Sequence, residues 1–285
     1  MPFHLPSAEV FVPDGSSLEE ALARTTHLAV GAHQDDLEIM ACHGILACEG
    51  RPDRWFTGAV LTDGGGSARS GPYADHSDAQ MRALRREEQK AAARLGGFSA
   101  CVLLDHPSSA VKDPSEAHPL EDLSALFEAT APEVVYTHNL ADSHDTHVAV
   151  ALRVIAALQA LPRERRPARL LGCEVWRDLD WLPAGDKVAL DVSGREDFQA
   201  ALLQVFHSQV AGGKRYDLAT LGRRRAHATF HESHETDAAT GLTFAMDLSP
   251  LIHHDGLDPK AFVLELIGRF SMDVAGRLER LGGRA

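Results

Sequence analysis

The chain has 285 residues, 44% hydrophobic and 24% charged, ordinary globular values at a length that buries roughly three quarters of the unfolded surface without disulfide or metal staples. Its formal net charge of −13 disfavours nucleic acid or an anionic membrane surface as partner, but leaves a small-molecule substrate open because a pocket can differ from the whole. The four cysteines (Cys42, Cys48, Cys101 and Cys173) form no Cys-x-x-Cys pair, and neither a signal peptide nor an apolar run of membrane-spanning length is visible. The expectation is a soluble cytoplasmic protein with free thiols.

The elements follow in order. SSLEE, with Ser16 three residues ahead of Glu19, reads as a capping box opening a helix over Ser16–Arg24. HLAVG is a short apolar run that stops abruptly in charge, the pattern of a buried strand, and Leu37–Cys48 carries helical spacing with Gly50 as its stop. Thr57–Thr62 is a strand running into the glycine loop DGGGSARSG, and Asp78–Leu95 is a long helix closed by Gly96 and Gly97. A strand over Ala100–Leu104, a helix over Leu120–Thr130, a strand over Glu133–Thr137 and a helix over His147–Leu161 continue the alternation. Strands alternating with helices imply a Rossmann-like three-layer α/β sandwich with a mostly parallel sheet, whose strand C-termini share one edge. Beyond Pro162 the pattern changes to LLGCEVW and KVALDV strands, helices over Asp197–Val210 and Asp217–His231, a TFAMDL segment and an amphipathic tail from Pro259. The expected organisation is an N-terminal extension (1–25), a catalytic core (26–212) and a C-terminal elaboration packed on it (213–285).

Sixteen histidines are more than twice what this length leads one to expect, and two clusters fall at expected strand ends. His33-Gln34-Asp35-Asp36-Leu37-Glu38 follows the HLAVG strand, and open parallel sheets bind ligands outside the carboxyl ends of their strands. Three carboxylates and an imidazole in six residues are costly to bury without a cation. His33 and Asp36, three apart, can converge on one ion while Asp35 points elsewhere as a base; the competing reading is a helix N-cap. The second cluster, His138 to His147, holds three histidines and two aspartates in ten residues (Asp142, His144 and Asp145 among them), and competes with a solvated, self-capping loop. Two such clusters on one sheet edge make the structural readings jointly weak. Two histidines and a carboxylate with open positions describe a catalytic zinc set; they also describe an oxygenase iron triad, which suits β-barrels better than this alternation.

These segments resemble a known family. AVGAHQDDLE is similar to the AHPDD-x-E signature of the PIG-L/LmbE-like N-deacetylases, with Gln34 in place of proline, and HNLADSHDTHVAVA resembles their second motif. TDGGGSARSG, MRALRREEQKAAARLG and HSQV resemble further segments, so the likeness spans about 26–212. It implies a divalent metal, zinc or similar, on His33, Asp36 and His147, Asp35 as general base and His144 assisting at the carbonyl oxygen. It also implies an N-acetylated sugar derivative as substrate, with Arg69 and Asp142 on the substrate side, and suggests a homo-oligomer that no surface in the sequence reveals. A metal-dependent esterase or other amidohydrolase, and a non-catalytic metal- or sugar-binding module, are the alternatives. The departure is Thr146 where the family has aspartate, with an acidic residue displaced to Asp145.

The remaining polar features have structural readings. Gly64–Gly66 lacks the phosphate-loop pattern and reads as a flexible substrate loop. Arg82, Arg85 and Arg86 with Glu87 and Glu88 read as solvated ion pairs of little energetic worth. HESHETD (231–237) and His253-His254-Asp255 read as polar loops, and Ser208 beside His207 has no triad context.

Overall fold

A computed structural model describes residues 3–231, 234 and 236–282. The chain starts with β1 (Glu9–Phe11), a short strand that the sequence did not signal, and then α1 (Leu18–Ala23). The cap of α1 is Ser17, whose side chain accepts from Glu20 N, one residue later than expected. Next come β2 (His27–Gly31), α2 (Asp36–Met40), α3 (Cys42–Cys48) and β3 (Phe56–Thr62). The single helix expected after β2 is broken at Ala41 (φ −109°, ψ 19°). The middle of the chain gives α4 (Asp78–Leu95), β4 (Ala100–His106), α5 (Ser108–Lys112), α6 (His118–Thr130), β5 (Val134–His138), α7 (Asp145–Ala160) and β6 (Arg169–Cys173). A capping box closes the start of α4, with Ser77 and Gln80 exchanging hydrogen bonds.

After β6 come β7 (Lys187–Asp191), α8 (Glu196–Gln204), α9 (His207–Gln209), a π-helical turn at Val210–Lys214, α10 (Tyr216–Thr229), β8 (Leu242–Asp247), α11 (Ser249–His253) and α12 (Pro259–Gly282). The sheet order is β1-β4-β3-β2-β5-β6-β8-β7. The five central strands are parallel, and antiparallel pairs flank them: β1 on β4, β8 on β6, and β7 on β8. The C-terminal part therefore contributes β8 to the sheet itself, between β6 and β7, rather than only packing on a finished core.

All of β2 and β3 are buried, as continuous apolar runs in a sheet covered on both faces must be. One apolar cluster around Leu28, Val30, Leu126, Phe127 and Val154 fills one side of the sheet; another, around Leu37, Met40, Phe56, Phe98 and Tyr136, fills the other. What positions the site is the order of crossovers. From β2 the chain goes to β3 on one side, and after β4 it returns to place β5 on the other. The loops leaving β2 and β5 diverge, and a crevice opens between them, the topological switch point of a doubly wound sheet.

Candidate metal centre and cleft

The two histidine–aspartate clusters occupy that crevice. The loop after β2 turns back tightly at Gly31, where an added Cβ would sit 3.0 Å from Asp36 Cβ. Asp35 takes a left-handed conformation (φ 89°, ψ −27°) costly for a non-glycine residue, held by its N–H donating to Gln89 Oε1 at 3.2 Å. This turn sends Asp36 and Asp35 to different neighbours. Asp36 Oδ2 accepts the His33 N–H at 2.7 Å and lies 3.3 Å from His33 Nδ1 and 3.5 Å from His147 Nε2. His33 Nδ1 and His147 Nε2 are 3.2 Å apart.

These three donor atoms form a nearly equilateral triangle. Ligands about 2.1 Å from a tetrahedral ion stand about 3.4 Å from one another, so the triangle has the size of one face of a zinc coordination sphere. The donors, two imidazole nitrogens and a carboxylate oxygen, suit zinc or a similar divalent ion, and His33 and Asp36 line the cleft. The residues fit such an ion. His138 Nε2 also lies 3.3 Å from Asp36 Oδ2, but its lone pair accepts the Ala32 N–H at 2.9 Å and its ring stacks on His147 with centroids 3.8 Å apart. His138 therefore packs behind the triangle rather than joining it.

Electrostatics follow from this packing. Burial pushes the Asp36 carboxyl up, but His147 and His138 outweigh it and hold Asp36 well below the carboxylate range. Burial lowers His147, and Asp36 and Asp142 more than restore it. Burial, then the neighbouring His147, depress His138 to about 4. Asp35 is raised to about 6, chiefly by burial and against the pull of Arg85. The Arg85 guanidinium lies 3.2 and 3.3 Å from Asp35 Oδ2 and also donates to the Gln34 carbonyl. Arg85 is only 2% exposed, so the expectation of a solvated ion pair is corrected. It belongs to the buried stripe of α4 with Met81, Glu88 and Ala92, and that helical spacing was the available signal.

The other expected residues divide. His144 lies half-buried at the cleft with its ring centroid 5.0 Å from that of His33, and burial first, then His147 and His33, lower its pKa. Asp142 does not line the cleft: it sits behind His147, 3.5 Å from Nδ1, and accepts the backbone N–H of His144 and Trp176 at 3.0 and 3.1 Å. A carboxylate on the far nitrogen of a ligating histidine is the usual orienting partner. Asp145 is exposed in the first turn of α7, and Thr146 is buried and lines the cleft. Arg69 is turned onto the Gly65 carbonyl and Asp78, shaping the glycine loop rather than facing the cleft. Glu38, the third carboxylate of the first motif, is buried apart, accepts from Gln89 Nε2 at 2.8 Å and is pushed up by burial to about 8, which favours its neutral form and removes the demand for a cation there. Ser208 is spent on Glu88, to which its hydroxyl donates at 2.7 Å.

The cleft above the triangle has a volume of about 710 Å³, within the range of small-molecule sites. Gly64, Gly66 and Ser67 form one wall. Gly64 has φ +71°, so the backbone favours glycine, and a Cβ there would meet the end of the Gln34 side chain, at 2.3 Å from Oε1, and displace it. Trp176, Tyr216 and Arg223 also line the cleft, and no motif or spacing in the sequence pointed to them. Of HESHETD, residues 232, 233 and 235 lie outside the described residues. Among the described residues the other cluster with metal-ligand spacing outside the crevice is an exposed one, His4, His118 and Glu121.

Residues 28–158 match the family model described as PIG-L: GlcNAc-PI de-N-acetylase. This stretch resembles the PIG-L family over somewhat less than half of the chain. It contains both clusters and, apart from His27, the two strands β2 and β5 whose loops open the crevice. No match is found among curated proteins. Among solved structures, the chain is similar to a conserved protein from Thermus thermophilus, at TM-score 0.60 and 22% identity over 78% of this chain and 94% of that one. It is similar to the N,N'-diacetylchitobiose deacetylase from Pyrococcus horikoshii at TM-score 0.63 and 16% identity, covering 81% and 86%. It is also similar to the 4-carboxy-2-hydroxymuconate hydratase from Pseudomonas putida at TM-score 0.56 and 19% identity, covering 79% and 96%. At these identities the likeness establishes the fold of the matched stretch and its flanks, and a hydratase among the neighbours means the fold alone does not select the reaction. Among the described residues, no helix is long and apolar enough to cross a membrane.

Proposed function

We propose that the chain is a divalent-metal-dependent N-deacetylase acting on the acetamide of an N-acetylated amino sugar or a similar small molecule. The observation that carries this reading is the triangle of donor atoms on His33, Asp36 and His147 with the Asp35 carboxylate beside it in the same cleft. The PIG-L match supports the choice of amide hydrolysis over other reactions of the fold. A zinc or similar ion held by those three side chains would supply a Lewis acid for the acyl carbonyl and would acidify water.

Asp35 accepts the proton of the attacking water. With a pKa raised to about 6 it is a stronger base than an exposed carboxylate and still mostly ionised at neutral pH. Arg85 fixes the Asp35 side chain and keeps its pKa from rising further. His144, which lines the cleft beside His33, donates a hydrogen bond to the oxygen on which charge develops, a task suited to a ring whose depressed pKa keeps it neutral. Asp142 orients His147. The proton on Asp35 then passes to the departing amine nitrogen.

The test is metal analysis of the purified chain together with acetate release from a panel of N-acetylated sugars, before and after chelation. Acetate release that disappears on chelation and returns with added zinc is the expected result. Hydrolysis of esters but not amides points to the esterase alternative, metal without any hydrolysis to a binding module, and iron-dependent oxygen consumption overturns the hydrolase reading altogether.

A further inference from the structure

The cleft holds more cationic side chains than the deacetylase reading uses. Four cationic residues line it: Arg85, Lys112, Lys214 and Arg223. Arg85 is spent on Asp35, and Asp36 on the histidines. Lys112, Lys214 and Arg223 have no carboxylate within ion-pair distance among the described residues, and the cleft lining offers no other acid than Asp35 and Asp36. This holds in a chain with 41 acidic against 28 basic side chains, where a chance cation most readily finds an acid.

The three come from separate segments that meet only at this cleft. Lys112 ends α5 after β4, Lys214 closes the π-helical turn, and Arg223 lies within α10. Two of them are held in place. Arg223 donates from one terminal nitrogen to the Val175 carbonyl at 2.6 Å, leaving the other free, and the Lys214 ammonium lies 5.0 Å above the Trp176 ring. Like charges lining one cleft repel unless an anion joins them, and guanidinium and ammonium groups each match a carboxylate or phosphate.

We propose that Lys112, Lys214 and Arg223 form an anion-recognition subsite, so that the substrate carries a carboxylate or phosphate besides its N-acetyl group. The acyl half of this statement rests on the deacetylase reading; the subsite rests on the three cations alone. Lys214 and Arg223 lie beyond the PIG-L match, in the part of the chain that follows it. The subsite fixes which N-acetylated molecule is selected, while the crevice after β2 and β5 fixes what is done to it.

The experiment uses the full chain, zinc-loaded, with Asp35→Asn to silence turnover. Calorimetry compares N-acetylglucosamine with N-acetylglucosamine 6-phosphate and with N-acetylmuramic acid, which separates a phosphate from a carboxylate. The anionic ligand that fits should bind at least about tenfold tighter than the neutral sugar, an advantage that shrinks as salt is raised. Changing Lys112, Lys214 and Arg223 together to Gln should erase that advantage while leaving neutral-sugar binding in place. The single variants Lys112→Gln and Lys214→Gln, at exposed positions, cover a triple variant that fails to fold. Equal binding of neutral and anionic sugars overturns the proposal, as does an advantage that survives in the variants, which would put the anion on the zinc. If no sugar binds, inorganic phosphate is titrated into the same proteins; binding lost in the variants supports the subsite, and binding unchanged overturns it. Failure of the deacetylase reading shows separately, as no acetate release by the unmodified chain from any member of the panel.

Discussion

Replacing Arg85 by Gln should move the acid limb of the pH–rate profile upward. Two guanidinium nitrogens stand 3.2 and 3.3 Å from Asp35 Oδ2 in a buried setting. At an effective dielectric of about 20, a charge pair at that separation attracts by about 5 kcal/mol before solvation losses. What survives as a pKa shift for an aspartate beside an arginine is about one to three units. The sign is fixed by the charge: losing the cation favours the neutral carboxyl, so the Asp35 pKa rises from about 6. At pH 7 the ionised fraction then falls from roughly nine tenths towards roughly one tenth for a two-unit shift. Turnover at pH 7 should fall up to about tenfold, with most of the rate recovered at higher pH. The assay is acetate release across pH 5–9, with Arg85→Lys as the variant that keeps the charge. Because Arg85 also holds the Gln34 carbonyl, thermal stability is measured alongside, and lost stability alone scales the whole profile without moving its limb. A limb that stays in place, or moves down, refutes the assignment of Asp35 as the base tuned by Arg85.

Three further outcomes are expected. Asp35→Asn should lower turnover by about two to four orders of magnitude with metal content unchanged, and metal lost together with activity would contradict the division between base and ligands. Asp142→Asn should weaken metal affinity by about 10- to 100-fold in a chelator competition, through a misoriented His147, and unaltered affinity would remove Asp142 from that role. Gly64→Ala should cost more than about 1 kcal/mol in denaturant unfolding, since it strains both φ +71° and the contact with Gln34; adding Gln34→Ala should relieve the second strain and leave the first, and a purely additive pair would argue against the contact.

Local chemistry wrote a large part of this protein into its sequence. The alternation of apolar strands and helices sufficed for the layered sheet, because short continuous apolar runs such as HLAVG and FTGAVLT suit strands covered on both faces. His33 and Asp36 drew attention as candidates because they follow a strand that ends abruptly in polar residues, while His147 was singled out from its cluster by resemblance; crossover handedness puts both strand ends on one edge. Other facts depended on contacts distant in sequence. β1 is three residues long and is defined by its partner β4, so no periodicity could announce it. Placing β8 between β6 and β7 is a matter of pairing, which local pattern does not encode. Whether a carboxylate faces the cleft, as Asp35 does, or is buried neutral, as Glu38 is, turned on one left-handed residue and on Gln89, which lies 54 and 51 positions away from them. Asp142 was placed with the substrate by resemblance and lies behind His147, because the loop after β5 folds over its own histidine. The cations of the cleft wall arrive on three unconnected segments, and only the folded chain brings charges from α5, the π-helical turn and α10 around one volume.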